Sequence, residues 1–226
     1  MADRPILFSG PMVRALLAGT KTQTRRVLQP QPDSRTNECC VSDGKWMGIG
    51  PSVTGGTAQW DQWRKLPFAK ADRLYVREAW GTDAAYDDLS PAAMGGEEPI
   101  RYDADGEHQT WGYPAISKLG RFRQGMHMPR WASRLTLVVR AVRVQRLQEI
   151  NSEDAIAEGC APLGSEFLIP GQYLYSDSSK PRTAISATSA YESLWNQINE
   201  ARGYGWDANP WVVAVAFTRN IDQVPA

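Results

Sequence analysis

The chain has 226 residues, with 25 lysines and arginines balancing 25 aspartates and glutamates, and 42% of its residues are apolar. A neutral chain of this size and ordinary apolar content can build one sizeable core, and its balance argues against indiscriminate coating of nucleic acid. No apolar run approaches the ~18 residues of a membrane span, the acid-bearing start is no signal peptide, and three cysteines (Cys39, Cys40, Cys160) give no disulfide framework, so a cytoplasmic protein without a membrane partner is expected.

Residues 6–28 read as strand, helix and strand. Pro11 suits a first helical position and Gly19 the left-handed residue that closes a helix. The run Gly19-Thr20-Lys21-Thr22-Gln23-Thr24-Arg25-Arg26 therefore turns a helix-to-strand corner, from which Lys21 and Thr24 can converge on a ligand. Residues 74–80 form a strand with Leu74, Val76 and Glu78 on one face. Residues 133–147 form a long strand or two joined by a bend, and residues 211–218 a closing strand buried on both faces. Asn151 caps a helix that stops near Gly159. A second helix over 188–199 carries Tyr191, Leu194, Trp195 and Ile198 as a core stripe. Between these elements, residues 29–70, 81–125 and 161–186 read as long Pro-, Gly- and Ser-rich loop insertions. The expectation is a single α+β domain over 1–226.

Neutral net charge hides an asymmetry. Residues 83–107 hold eight acids and one base, and residues 108–148 hold eight bases and no acid. The basic block can serve a polyanion, or it can be a set of outward strand positions neutralised by the acidic insertion. Within it, His127-Met128-Pro129-Arg130-Trp131-Ala132-Ser133-Arg134 places Arg130 and Arg134 around a turn. They can fork onto phosphate or a base edge beside Ser133, with Trp80 or Trp131 as a stacking face; alternatively, the tryptophans are core and Arg130 pairs with Glu78. In Gly203-Tyr204-Gly205-Trp206-Asp207-Ala208-Asn209-Pro210-Trp211, Asn209 can offer its amide to a base. With two histidines and no zinc-like cysteine spacing, neither a Cys/His metal site nor a cofactor is expected; carboxylate-bound magnesium stays open.

Gly19-x-Lys21-x-x-x-x-Arg26 resembles the signature of the ASCH family, a group of small β-barrels similar to PUA domains. Arg4-Pro5-Ile6-Leu7-Phe8-Ser9-Gly10, Asp72-Arg73-Leu74-Tyr75-Val76-Arg77-Glu78-Ala79-Trp80 and the Arg130 and Asn209 segments resemble its larger phage- and prophage-type members. The resemblance implies a PUA-like mixed β-barrel of five to seven strands with flanking helices. It also implies three activities. Some members remove the acetyl group from N4-acetylcytidine with a Lys, Thr and Glu trio, which carries over onto Lys21, Thr24 and Glu78. Arg25, Arg26, Arg77, Trp80, Arg130, Ser133, Arg134 and Asn209 would then contact a modified nucleoside or single-stranded RNA or DNA. The other implied activities are a non-catalytic reader of RNA or modified nucleic acid and, last in rank, a ribonuclease. Those amidohydrolases are shorter and lack the insertions, and a glycine expected before Asp72 is here Ala71.

The hydrolytic chemistry is coherent. A threonine hydroxyl attacks only when a base takes its proton, and Lys21 could do so with its pKa lowered by burial or by Arg25 and Arg26. Glu78, protonated or sharing a proton, could donate to the departing cytosine amine, leaving an acetyl ester on Thr24 for water. Each residue also fits a plainer part: Lys21 a phosphate contact, Thr24 a core β-former, Glu78 an ion pair with Arg73, Arg130 or Lys21.

Overall fold

The computed structural model describes residues 3–52, 55–59, 62–110, 115–160, 173–176 and 181–219. Its strands are β1 (Asp3–Leu7), β2 (Gln23–Val27), β3 (Glu38–Ser42), β4 (Lys45–Pro51), β5 (Thr57–Gln59), β6 (Arg64–Lys65), β7 (Arg73–Arg77), β8 (Trp80–Gly81), β9 (Ile100–Tyr102), β10 (His108–Gln109), β11 (Thr136–Arg146), β12 (Tyr173–Ser176), β13 (Pro181–Ala184) and β14 (Trp211–Arg219). Its α-helices are α1 (Gly10–Leu17), α2 (Ser152–Ala157) and α3 (Ala187–Asn199). The chain is α+β. Among the described residues the strands lie in open sheets, and no closed barrel is found. No described helix is long and apolar enough to cross a membrane. The sequence reads as one domain with insertions; by its internal contacts the chain divides into two compact units.

The first unit takes residues 3–19 and 73–138 with Arg219. Strand β1 runs parallel to β7, from Asp3 opposite Arg73 to Leu7 opposite Arg77, and β7 pairs antiparallel with the first residues of β11. Alternation along β7 buries Leu74 and Val76, with Ile6 of β1 buried beside them in register. Helix α1 carries its proline in the first turn, buries Val13 and Leu16, and is followed by Gly19 at φ +76°. The expected loop over 81–125 is instead partly sheet: β8, β9 and β10 pair antiparallel. The cause is a second core, in which Trp80, Met94, Ile100, Tyr102, Met128 and Ala132 pack together.

Acids of that insertion are spent on backbone donors. Asp83 accepts from the Ala85 amide at 2.9 Å, the Ser117 amide at 2.7 Å and the Lys118 amide at 3.1 Å, which holds its carboxyl well below the usual range. Asp87 accepts from the Arg121 amide, and Glu98 from those of Gly95 and Gly96.

The second unit takes residues 20–72 and 139–218. Here the rest of β11 neighbours β14, and β14 pairs antiparallel with β2, setting Val215 opposite Thr24 and Ala214 opposite Arg25. Val212, Val213, Ala214 and Val215 are all buried, as an uninterrupted apolar run requires. The expected loop over 29–70 holds a four-stranded sheet in which β4 pairs with β3, β5 and β6. Its hairpin turns at Asp43-Gly44, with φ of +49° and +68°, the Asp-Gly turn whose twist matches paired strands. Trp46 and Met47 on β4 supply the buried anchor.

Helix α3 starts at a capping box in which Ser186 and Ser189 satisfy each other's backbone amides. It packs Tyr191, Leu194 and Trp195 inward as the stripe predicts, but Ile198 is exposed and Asn199 is buried instead. The Asn199 amide donates to the Trp195 carbonyl, which pays the polar cost of that place. Of residues 161–186, β12 and β13 pair as an antiparallel hairpin; residues 161–172 and 177–180 lie outside the described residues.

Candidate functional site

The second unit carries the corner predicted from sequence. The Thr22 amide donates to the Ala157 carbonyl at 2.8 Å, and the Phe217 amide to the Thr22 carbonyl at 2.9 Å, so the entry to β2 is fixed on both sides. Lys21 is fully buried. Its Nζ donates to the Glu158 carbonyl oxygen at 2.7 Å and to Glu158 Oε2 at 3.0 Å. Glu158 follows the last turn of α2, where Asn151 Oδ1 caps the start by accepting from the Asp154 amide.

Arg25 joins the same carboxylate from the strand. Its Nη1 donates to Glu158 Oε1 at 3.0 Å and its Nη2 to Asp154 Oδ2 at 2.6 Å, while the guanidinium lies 5.8 Å from the centroid of the buried Tyr191 ring. Gln23 Nε2 and the exposed Arg143 Nη2 donate to Asp154 Oδ1 at 3.1 Å and 3.0 Å. Thr24, on the next position of β2, is 1% exposed, and its Oγ1 accepts from Arg26 Nη1 at 3.0 Å. The half-buried Arg26 also donates to the Arg25 carbonyl.

Burial lowers the Lys21 ammonium from its ordinary value, against Glu158, which works to raise it. Burial likewise pushes the Tyr191 phenol well up and the Cys160 thiol up to about 12, leaving both neutral at ordinary pH. A hydroxyl that accepts from a guanidinium gives up its proton more readily than a free one, because its alkoxide form gains a charge-assisted hydrogen bond.

The first unit carries the other predicted residues. Glu78 lies just past β7 and is buried, and its partner is Arg134, not Arg73, Arg130 or Lys21. Arg134 Nε and Nη2 donate to Glu78 Oε1 and Oε2, both at 2.9 Å, and Nη1 and Nη2 reach Asp105 at 2.8 Å and 3.0 Å. The same guanidinium lies 4.0 Å from the Tyr102 ring centroid. Burial raises the Glu78 carboxyl above its ordinary value, with Arg134 opposing; Arg134 is held above its own by Glu78 and Asp105, which outweigh burial.

Five further ligand-contact candidates occupy structural places. Trp80, expected as a stacking face, is buried in the second core with Arg123 over its ring at 5.5 Å. Arg130 pairs with Asp3 at 2.8 Å, and Ser133 Oγ donates to the Val76 carbonyl at 2.7 Å. Arg77 donates to the Met126 carbonyl at 3.2 Å and lies over Tyr75. In the second unit Asn209 Oδ1 accepts from the Gln148 amide at 3.0 Å, and its carbonyl from Arg146 Nη1 at 3.1 Å. Among the described residues no group of three or more His, Cys, Asp and Glu is placed to hold a metal.

Sequence reading missed Glu158, Asp154 and Arg143 in one unit and Asp105 in the other. For Glu158 a signal was present. An acid at a helix C-terminus opposes the macrodipole and needs a cation to stay there. Comparison of the chain with known protein families, with curated proteins and with solved structures found no match.

Proposed function

We propose that the chain is a nucleobase-directed amidohydrolase of ASCH type, PUA-like in fold and cytoplasmic, that removes an acyl group from an N4-acetylcytidine-like nucleoside. Thr24 is the nucleophile and Lys21 the base. Glu78 takes the acid's part that the resemblance gives it.

The observation that carries this reading is the state of the β2 corner. Lys21 is desolvated, and Thr24 Oγ1 accepts from a guanidinium. Burial works toward the neutral amine that a base must be, and Glu158 works against it, so activity rises with pH through the lowered Lys21 value. In the forward step the Thr24 oxygen forms a bond to the acyl carbon as its proton passes to Lys21 Nζ. Arg26, already on the Thr24 oxygen, eases the loss of its proton, and the negative charge passes to the acyl oxygen. Collapse releases the cytosine amine with a proton from the acid, the part that the resemblance gives to Glu78. Water gives a proton to the carboxylate left behind and frees acetic acid from the ester, as the Lys21 ammonium returns its proton to the Thr24 oxygen.

The reader alternative draws on the basic block, and that block is largely committed. Arg130, Arg134 and Arg143 are in ion pairs, Arg123 is buried, and Arg146 stacks 4.6 Å from the Trp211 ring centroid. This favours hydrolysis over reading a long polyanion.

The test is release of cytidine and acetate from N4-acetylcytidine by purified protein, with Thr24→Ala, Lys21→Met and Glu78→Gln beside it. Turnover lost in the Thr24 variant is the expected result. No turnover, with binding to RNA that falls steeply as salt rises, would replace the hydrolase with the reader.

A further inference from the structure

A buried carboxylate at the end of a helix is costly unless its partners repay it, and Glu158 is 3% exposed. Each of its carboxylate oxygens is taken by a different cation, Oε2 by Lys21 and Oε1 by Arg25. Its main-chain oxygen is taken too, by the same Nζ at 2.7 Å. Lys21 is thus gripped at two points by one residue, which fixes a long flexible side chain far more tightly than a single ion pair does. Arg25 continues the chain to Asp154, and Asp154 to the exposed Arg143. Arg25 alone reaches both Glu158 and Asp154 from β2, and Lys21 supplies the donor to the remaining Glu158 oxygen.

We propose that Glu158 is the positioning residue for Lys21, fixing Nζ beside β2 and governing whether it carries a proton. The proposal rests on the hydrolase reading for its catalytic meaning, but its core is a coupling between two side chains that can be measured without any substrate. Among the described residues, the charged and titratable groups that act on Lys21 are Glu158 and Cys160 from the end of α2 and Arg26 from β2. Arg25 and Tyr191 act one contact further out, on Glu158. Glu158 favours the ammonium; burial and Arg26 oppose it. Removing the Glu158 charge therefore moves the titration of Lys21 to lower pH. The Glu158 main-chain oxygen survives any substitution and keeps Nζ near its place.

The experiment is a pH titration of the Lys21 Cε resonance in protein labelled with [13C]lysine. The chain has six lysines, so the Lys21 signal is identified by its loss in Lys21→Arg. Glu158→Gln is expected to lower the Lys21 midpoint by about one to three pH units. Glu158→Asp, which pulls the carboxylate back by one methylene and keeps a foldable charge, lowers it by less. A midpoint unmoved in both variants overturns the proposal. If N4-acetylcytidine is hydrolysed, the rising limb of the pH–rate profile follows the midpoint downward; a limb that stays put while the midpoint moves overturns the positioning role. If the midpoint moves and no substrate is turned over, the hydrolase reading falls and the Glu158–Lys21 coupling stands.

Discussion

Arg134→Met strips the buried Glu78 of its only cation among the contacts described, and the cost can be bounded. Both Glu78 oxygens lose a 2.9 Å charge-assisted bond in a place 1% exposed to solvent. Left alone, the carboxylate escapes the desolvation penalty by taking a proton. Each pH unit between its ordinary value of 4.5 and pH 7 costs about 1.4 kcal/mol, which caps that penalty at about 3.4 kcal/mol. The Asp105 arm is partly exposed and adds roughly 0–1 kcal/mol. Expected destabilisation at pH 7 is thus about 3–4 kcal/mol. At pH 5 the protonation cost shrinks to about 0.7 kcal/mol. The sign follows from linkage: a carboxyl whose folded-state value is raised binds more protons folded than unfolded, so its stability contribution falls as pH rises between the two values. Urea denaturation followed by tryptophan fluorescence at pH 5 and pH 7 measures both numbers. A loss at pH 7 below 1 kcal/mol, or one equal at the two pH values, would refute the account of Glu78 as a desolvated, arginine-held carboxylate.

Three further outcomes are expected. Gly125→Ala places a Cβ 2.8 Å from Leu7 Cδ1 and 2.9 Å from the Glu78 carbonyl carbon, and should cost roughly 1–3 kcal/mol in a thermal or urea melt; a neutral substitution would mean the Glu78 backbone yields freely. Ala71→Gly should stabilise by about 0.5–1 kcal/mol, because Ala71 sits at φ +69°, where a Cβ costs roughly 1–2 kcal/mol and the extra freedom of unfolded glycine returns only part of that. A destabilised Ala71→Gly variant would contradict the strain at that turn. Asp83→Asn should speed hydrogen exchange at the Ser117 and Lys118 amides. In the wild type the stabilisation from Asp83 is present above the ordinary carboxyl value of 3.8 and is lost as pH falls through its lowered folded value. Unchanged protection in the variant would show that other bonds hold the loop.

The elements that periodicity and punctuation define were legible. Pro11 and Gly19 bracket α1, Asn151 caps α2, and the apolar run after Pro210 is the buried β14. The loop insertions were misread where a sheet is short and anchored by one aromatic. In β4 the Asp43-Gly44 turn signal was present in sequence, but Gly48, Gly50 and Pro51 masked the strand around it. In β8 and β9 only two or three residues alternate, too few for periodicity to speak, and Trp80 provides the core. At the candidate site the corner holding Lys21 and Thr24 was legible from helix-stop and strand signals. Their partners were not. Glu158 lies 137 positions from Lys21, and Arg134 lies 56 from Glu78. Pairing over such distances depends on which elements pack, which the spacing of charges along the chain does not encode. The same applies to Arg130, whose partner proved to be Asp3.

The two units repeat one physical solution, and their difference isolates the chemistry. In the first, Arg134 joins a buried Glu78 to a partly exposed Asp105 and lies over Tyr102. In the second, Arg25 joins a buried Glu158 to a partly exposed Asp154 and lies over Tyr191. Each guanidinium carries its charge inward between two carboxylates and an aromatic face, but Arg134 takes both oxygens of Glu78, whereas Arg25 takes one oxygen of Glu158 and leaves the other to Lys21. Such a cluster is explained by packing alone. What the second adds is Lys21, a cation whose proton, unlike that of arginine, can be removed in the accessible range of pH. On Glu158 Oε2 a lysine is a weaker partner than a second arginine, since burial works against its charge. It suits a place where a proton has to leave. Thr24 stands three residues on, with its hydroxyl under Arg26. Holding Glu158 Oε2 asks only for a cation; a cation that can give up its proton is what the proposed hydrolysis asks for.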